Sequence, residues 1–129
     1  MSDKSKKRIF CVAPMMGYTT PHARKLYRML SSEAFLFTEM IATKTMIHSQ
    51  NRDLIIKNDI NNPTVLQVGG SEIDDLKKCS KIAKSYNYDE INLNVGCPSK
   101  AVQKGSFGAC LMKKKSLARN CLEQMKNAA

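Results

Sequence analysis

Residues 9–30 read IFCVAPMMGYTTPHARKLYRML, and the turn in their middle decides the architecture. The run from Ile9 to Met15 is apolar throughout and is stopped by Pro14 and then Gly17, the pattern of a strand buried on both faces in a parallel sheet. Thr20 is placed to cap a helix with Pro21 at its first position, and Ala23, Leu26, Tyr27 and Leu30 recur at helical spacing. A dinucleotide-binding sheet needs GxGxxG in such a turn, so that the backbone can approach a pyrophosphate. APMMGYTT has one glycine and no such spacing, and it is not a P-loop either.

The same alternation continues along the chain. Residues 34–41 repeat the strand pattern, 43–48 allow one or two helical turns, and a polar stretch covers 51–62. Residues 64–68 form a third strand closed by Gly69 and Gly70. Ser71, with Asp74 three residues on, opens a helix that turns Ile73, Leu76 and Ala83 inward and Lys77, Lys78, Lys81 and Lys84 outward. Residues 90–94 make the fourth strand, and Leu117, Ala118, Cys121, Leu122 and Met125 give a final helical stripe. Strand and helix alternating four times predict an α/β fold with a parallel sheet and right-handed crossovers. With the Rossmann turn excluded, the expected architecture is a (β/α) TIM-type barrel. A complete one takes about 250 residues, so residues 9–129 are expected to supply the first four βα units, a half barrel, behind a flexible basic arm at 1–8, MSDKSKKR.

The 21 Lys and Arg against 11 Asp and Glu give a formal charge of +10, which suits a polyanion such as nucleic acid and equally a solvated basic surface. Five cysteines form no CxxC pair and follow no secretory signal, which points to a reducing, cytoplasmic compartment and away from a disulfide scaffold. His22 and His48 stand far from any cysteine pair, so no metal site is expected. No apolar run approaches the roughly 20 residues that cross a bilayer, so no membrane span is expected.

The chemistry concentrates in residues 89–112, DEINLNVGCPSKAVQKGSFGACLM. Cys97 follows a strand end, where a side chain can face a site instead of a core; read alone, it fits either a small buried residue or a functional thiol. Pro14, Met15 and Met16 end the first strand and fit core gap-fillers or ligand contacts. Gln67 ends the third strand with an amide that both donates and accepts, and Asn94 brings a second amide to the same rim. Glu39 also ends a strand, with no role beyond a structural hydrogen bond. The small residues at 105–109 fit a flexible loop or a backbone approached closely by a ligand. Lys100, Lys104 and the lysines at 113–115 fit a phosphate-steering patch or a solvated surface.

Residues 92–112, NLNVGCPSKAVQKGSFGACLM, resemble the active-site signature of the tRNA-dihydrouridine synthases, flavin enzymes built on a (β/α) barrel. VAPMMGYTTPHAR at 12–24, FTEMIATK at 37–44 and PTVLQVGG at 63–70 agree in order and spacing with the family's first three strands, closest to its A-type bacterial branch. The resemblance implies reduction of the 5,6 double bond of a D-loop uridine in tRNA, with FMN as cofactor and NADPH as reductant. It implies that Cys97 gives the proton to carbon 5 as a general acid, a task its free pKa of about 8.5 suits. It also implies that Pro14, Met15, Met16 and Gln67 hold the flavin and that Asn94 touches the RNA. Gly17, Tyr18 and Thr20 depart from the residues frequent in that branch.

By the same resemblance, four further βα units, the segments that hold the flavin phosphate and a helical tRNA-binding domain belong to a missing carboxyl-terminal half. Residues 9–129 alone are then expected to bind flavin poorly and to expose apolar faces at an unclosed sheet edge. The alternative functions are another pyrimidine-reducing flavin barrel, such as dihydroorotate dehydrogenase, and a non-catalytic basic RNA-binding remnant. The charge of +10 and the GxFGAC extension weigh against the first.

Overall fold

The computed structural model describes residues 10–58, 60 and 63–129; the arm at 1–8 and the strand start at Ile9 lie outside the described residues. Among the described residues five strands form one parallel sheet: β1 (Cys11–Val12), β2 (Phe35–Phe37), β3 (Ile41–Ala42), β4 (Thr64–Gly69) and β5 (Glu90–Leu93). Both β2 and β3 pair with β4, so they are the two parts of one interrupted strand. The spatial order β1, β2/β3, β4, β5 follows the chain without reversal. A doubly wound sheet reverses direction at its centre; a sequential parallel order is that of half a (β/α) barrel, as the sequence led us to expect.

The break in the second strand is a one-residue bulge. Phe37 pairs with Val65 and Ile41 with Val68, so residues 38–40 face only Leu66 and Gln67. Thr38 fills the gap in the ladder. Its N–H donates to the Val65 carbonyl at 2.9 Å, its hydroxyl accepts the Gln67 N–H at 3.0 Å, and the same hydroxyl donates to the Glu39 carbonyl at 2.7 Å. A side chain thus replaces the missing backbone acceptor opposite Gln67, inside β4.

The helices are α1 (Pro21–Leu30), α2 (Thr43–His48), α3 (Arg52–Ile56), α4 (Ile73–Ser85), α5 (Lys100–Lys104) and α6 (Lys115–Ala128), with a 3-10 helix at Gly108–Lys113 before α6. Strand alternation sorts the residues of β4 and β5. Leu66, Val68, Ile91 and Leu93 point to the helices, and the core closes with Met46, Ile56, Leu76, Cys79, Leu111, Cys121 and Met125. Each fully buried aliphatic side chain of this set contributes about 1.5–3 kcal/mol. The opposite faces of β4 and β5 carry Gln67, Asn92 and Asn94.

Several expectations need correction. The first strand is not buried on both faces: Cys11 is exposed and Val12 half-buried, because β1 is the edge of an open sheet. Thr20 does cap α1, accepting the Ala23 N–H at 3.3 Å with Pro21 following, but the predicted inward stripe is only partly covered. Leu26 is 54% and Leu30 78% exposed, while Arg24 is buried. Periodicity marks an apolar face; a second packing layer beyond the edge strand is required to cover it. Ser71 does not cap α4, whose N-cap is Glu72 with no side-chain cap bond. Leu122 on α6 is half exposed. The polar stretch contains α3, and the small-residue segment at 105–109 follows α5 and runs into the 3-10 helix. Among the described residues no helix is long and apolar enough to cross a membrane.

Candidate active site

All strands are parallel, so their carboxyl ends share one rim: Pro14, Met15 and Met16 follow β1, Asn94 and Cys97 follow β5, Glu39 lies in the bulge, and Gln67, expected at the end of its strand, lies two residues inside the end of β4. Three of these are bonded together. Asn94 Oδ1 accepts the backbone N–H of Cys97 at 3.0 Å and of Gly96 at 3.3 Å, which fixes the loop that carries the thiol. Asn94 Nδ2 donates to Gln67 Oε1 at 3.1 Å. Gln67 Nε2 donates to Asn92 Oδ1 at 2.7 Å, across the β4–β5 register in which Gln67 and Asn92 are partners. Gln67 is only 8% exposed.

The Cys97 loop is held from below as well. Its carbonyl accepts the Ala109 N–H at 3.0 Å, and Gln103 Nε2 donates to the Pro98 carbonyl at 2.7 Å. Ser99 caps α5 through its hydroxyl, which accepts the Val102 N–H at 3.3 Å. The five thiols are free but not alike. Burial pushes Cys79 up to about 12, helped by Asp75, and burial raises Cys121. Cys97 moves the other way: hydrogen bonds from the Ser99 backbone first, and from its hydroxyl second, stabilise the thiolate and lower the pKa. The sequence suggested an ordinary thiol; the structure makes it a stronger acid.

Ser99→Ala removes the hydroxyl part of that stabilisation and leaves the backbone part. The Cys97 pKa should therefore rise partway, and the onset of its alkylation by iodoacetamide, followed against pH, should move to higher pH. An unchanged profile would show that the hydroxyl does not act on the thiol.

Pro14, Met15 and Met16 follow the end of β1, which lies two strand spacings or about 10 Å from β4. Among the described residues, none of their hydrogen bonds joins them to the amide trio of Gln67, Asn92 and Asn94. Their turn is built separately. The Met15 carbonyl accepts the Tyr18 and Thr19 N–H groups at 3.0 and 2.9 Å, Thr19 Oγ1 accepts the Met15 N–H at 3.0 Å, and Gly17 N donates to Glu39 Oε1 at 2.6 Å. Glu39 thus has the structural bond expected of it, and it ties the first turn to the bulge. Met16, Thr38, Glu39, Met40 and Thr45 line a cleft of about 380 Å³ whose walls include neither Gln67 nor Cys97.

The segment at 105–109 is ordered by packing and is not an open loop. The Phe107 ring lies against Gly69 so closely that a Cβ there would come within 2.6 Å of it. Lys100, Lys104 and the lysines at 113–115 are all exposed on α5 and the start of α6. Asn92 and Ser99 were missed from sequence. The spacing INLN puts Asn92 and Asn94 on one face of a strand, and CPSK puts a cap residue two positions after the thiol; both signals were present.

A sequence profile described as Dihydrouridine synthase matches residues 11–129. Curated relatives named "tRNA-dihydrouridine(20/20a) synthase" include that of Vibrio parahaemolyticus, 48% identical over 89% of this chain and 35% of the relative. Another is that of Shewanella oneidensis, 44% identical over 95% and 36%; the Haemophilus ducreyi protein is 42% identical over 98% and 39%. The chain therefore spans little more than a third of the length of these relatives. The profile runs from β1 through α6 and so takes in every strand of the sheet, the amide trio and the Cys97 loop together; on that breadth the chain belongs to the dihydrouridine synthase family.

Proposed function

We propose that residues 9–129 are the amino-terminal part of a barrel that reduces the 5,6 double bond of D-loop uridines in tRNA, with Cys97 as the proton donor. The relatives' name supports positions 20 and 20a as the target uridines. The observation that carries the reading is the hydrogen-bonded unit of Gln67, Asn94 and Cys97 at the rim. It sets a thiol of lowered pKa beside amides able to read a planar, carbonyl-bearing ring.

The donor set fits flavin mononucleotide at its ring. Gln67 keeps one amide hydrogen and one lone pair free for a pyrimidine-type edge, and a Cβ on Gly96 would meet nothing within 4 Å, so the loop leaves room above it. Pro14, Met15 and Met16 would flank the ring from β1, and the phosphate would be held outside this segment. Held there and reduced by NADPH, such a group would provide hydride chemistry toward carbon 6 of the base. This chain's own part is the rest. Asn94 holds the Cys97 loop and meets the RNA, and the Cys97 thiol delivers its proton to carbon 5. Ser99 takes up the resulting thiolate with its N–H and O–H. The exposed lysines of α5 and α6 favour a polyanion, with binding that weakens as salt rises. The setting is the cytoplasm, where free thiols persist.

The test uses a polypeptide that carries this segment within a complete barrel, supplied with flavin mononucleotide, NADPH and unmodified tRNA transcript. Nucleoside mass spectrometry should find uridine 20 or 20a gaining two hydrogens. Flavin reduction without any change in the tRNA would contradict the reading.

A further inference from the structure

We infer that Asn92 is a positioning residue that holds the nitrogen end of the Gln67 side-chain amide, in the orientation that Asn94 sets at the oxygen end. The direction of the lock follows from covalent chemistry. Backbone N–H groups only donate, and those of Gly96 and Cys97 both meet one side-chain atom of Asn94, so that atom is oxygen and its twin is nitrogen. That nitrogen only donates, so the Gln67 atom at 3.1 Å is oxygen. The remaining Gln67 atom is then nitrogen, and the Asn92 atom at 2.7 Å accepts from it. Reversing any one amide would set donor against donor or acceptor against acceptor at its neighbour. Without Asn92 the chain has no far end, and Gln67 is held by its oxygen alone.

The lock fixes which polar groups remain for a ligand. Gln67 offers one hydrogen and one lone pair in a set order, Asn94 offers one hydrogen, and Asn92 offers its carboxamide hydrogens. An edge that alternates carbonyl and N–H, as an imide does, matches that set; this ligand assignment rests on the proposed function, whereas the lock rests on the protein's own bonds.

The test compares Asn92→Asp, which keeps an acceptor, with Asn92→Leu, which keeps the bulk without one, by hydrogen exchange of the Gln67 side-chain amide in the nitrogen-labelled chain. Asn92→Leu should exchange at least about tenfold faster than the parent, as expected for losing one hydrogen bond, and Asn92→Asp should stay protected. Protection unchanged in Asn92→Leu, or lost equally in Asn92→Asp, would overturn the lock. Should Asn92→Leu unfold, Asn92→Asp decides alone: protection supports the lock and its loss overturns it. In a complete barrel, Asn92→Leu should also weaken flavin mononucleotide. Lost protection with flavin affinity intact would leave the lock standing and remove the flavin assignment.

Discussion

Cys97→Ala, placed in a complete barrel, is expected to cut dihydrouridine formation at least about 100-fold while flavin stays bound, since a positioned acid is worth roughly that factor or more. The alanine removes the proton but leaves the amide trio intact, because Asn94 holds position 97 through the backbone N–H. The flavin contacts proposed for Gln67 should survive for the same reason. Nucleoside mass spectrometry of the tRNA, with flavin absorbance read on the same sample, separates the two effects. Unchanged turnover would remove Cys97 from the chemistry, and lost flavin would make it a structural residue of the rim.

Gly108→Ala is the second large effect, and it acts on the same loop from beneath. Gly108 adopts a φ of +59°, in the left-handed region where a Cβ costs about 1–2 kcal/mol. That Cβ would also come within 2.8 Å of the Cys97 carbonyl oxygen and press on the Val102 side chain. The carbonyl is backbone already engaged by Ala109, so it cannot swing aside cheaply. A destabilisation of about 2–4 kcal/mol is expected in urea unfolding, together with a displaced Cys97. A loss below about 0.5 kcal/mol, within the range of ordinary surface substitutions, would mean that the loop yields and the glycine serves another purpose.

These two residues show what was legible in the sequence and what was not. The order of strands and helices could be read because buried parallel strands are continuous apolar runs: PTVLQVGG became β4, buried from end to end. The start of α1 could be read because Thr20 and Pro21 act locally. The bulge at 38–40 was invisible because one extra residue leaves no period, only a missing acceptor that Thr38 replaces. The helical order of 100–113 was invisible because it comes from distant contacts, Phe107 against Gly69 and Ala109 against Cys97, and not from a local repeat. GSFGAC therefore looked like a loop open to a ligand, whereas its second glycine is needed for close approach to the chain's own backbone.

The site divides in the same way. Asn94 and Cys97 could be picked out as strand-end chemistry, Gln67 proves to lie inside β4 and not at its end, and the fold bonds the three together. Their dependence on Asn92 and Ser99 could not be weighed without geometry, since an asparagine on a strand and a serine after a proline are common surface residues. Pro14, Met15 and Met16 remain a separate element of the rim, joined to the rest through Glu39. The apolar face of α1 is left open, with Met29 80% and Leu30 78% exposed.

A proton donor at position 97 requires the Cys97 thiol to face the bound base, and alkylation reads this directly. In a complete barrel, iodoacetamide labelling of Cys97, quantified by peptide mass spectrometry, should slow at least about tenfold when tRNA is present at ten times its dissociation constant. Buried Cys79 should stay unlabelled with and without tRNA. Labelling of Cys97 at an undiminished rate under saturating tRNA would place the thiol away from the base and contradict its role as proton donor.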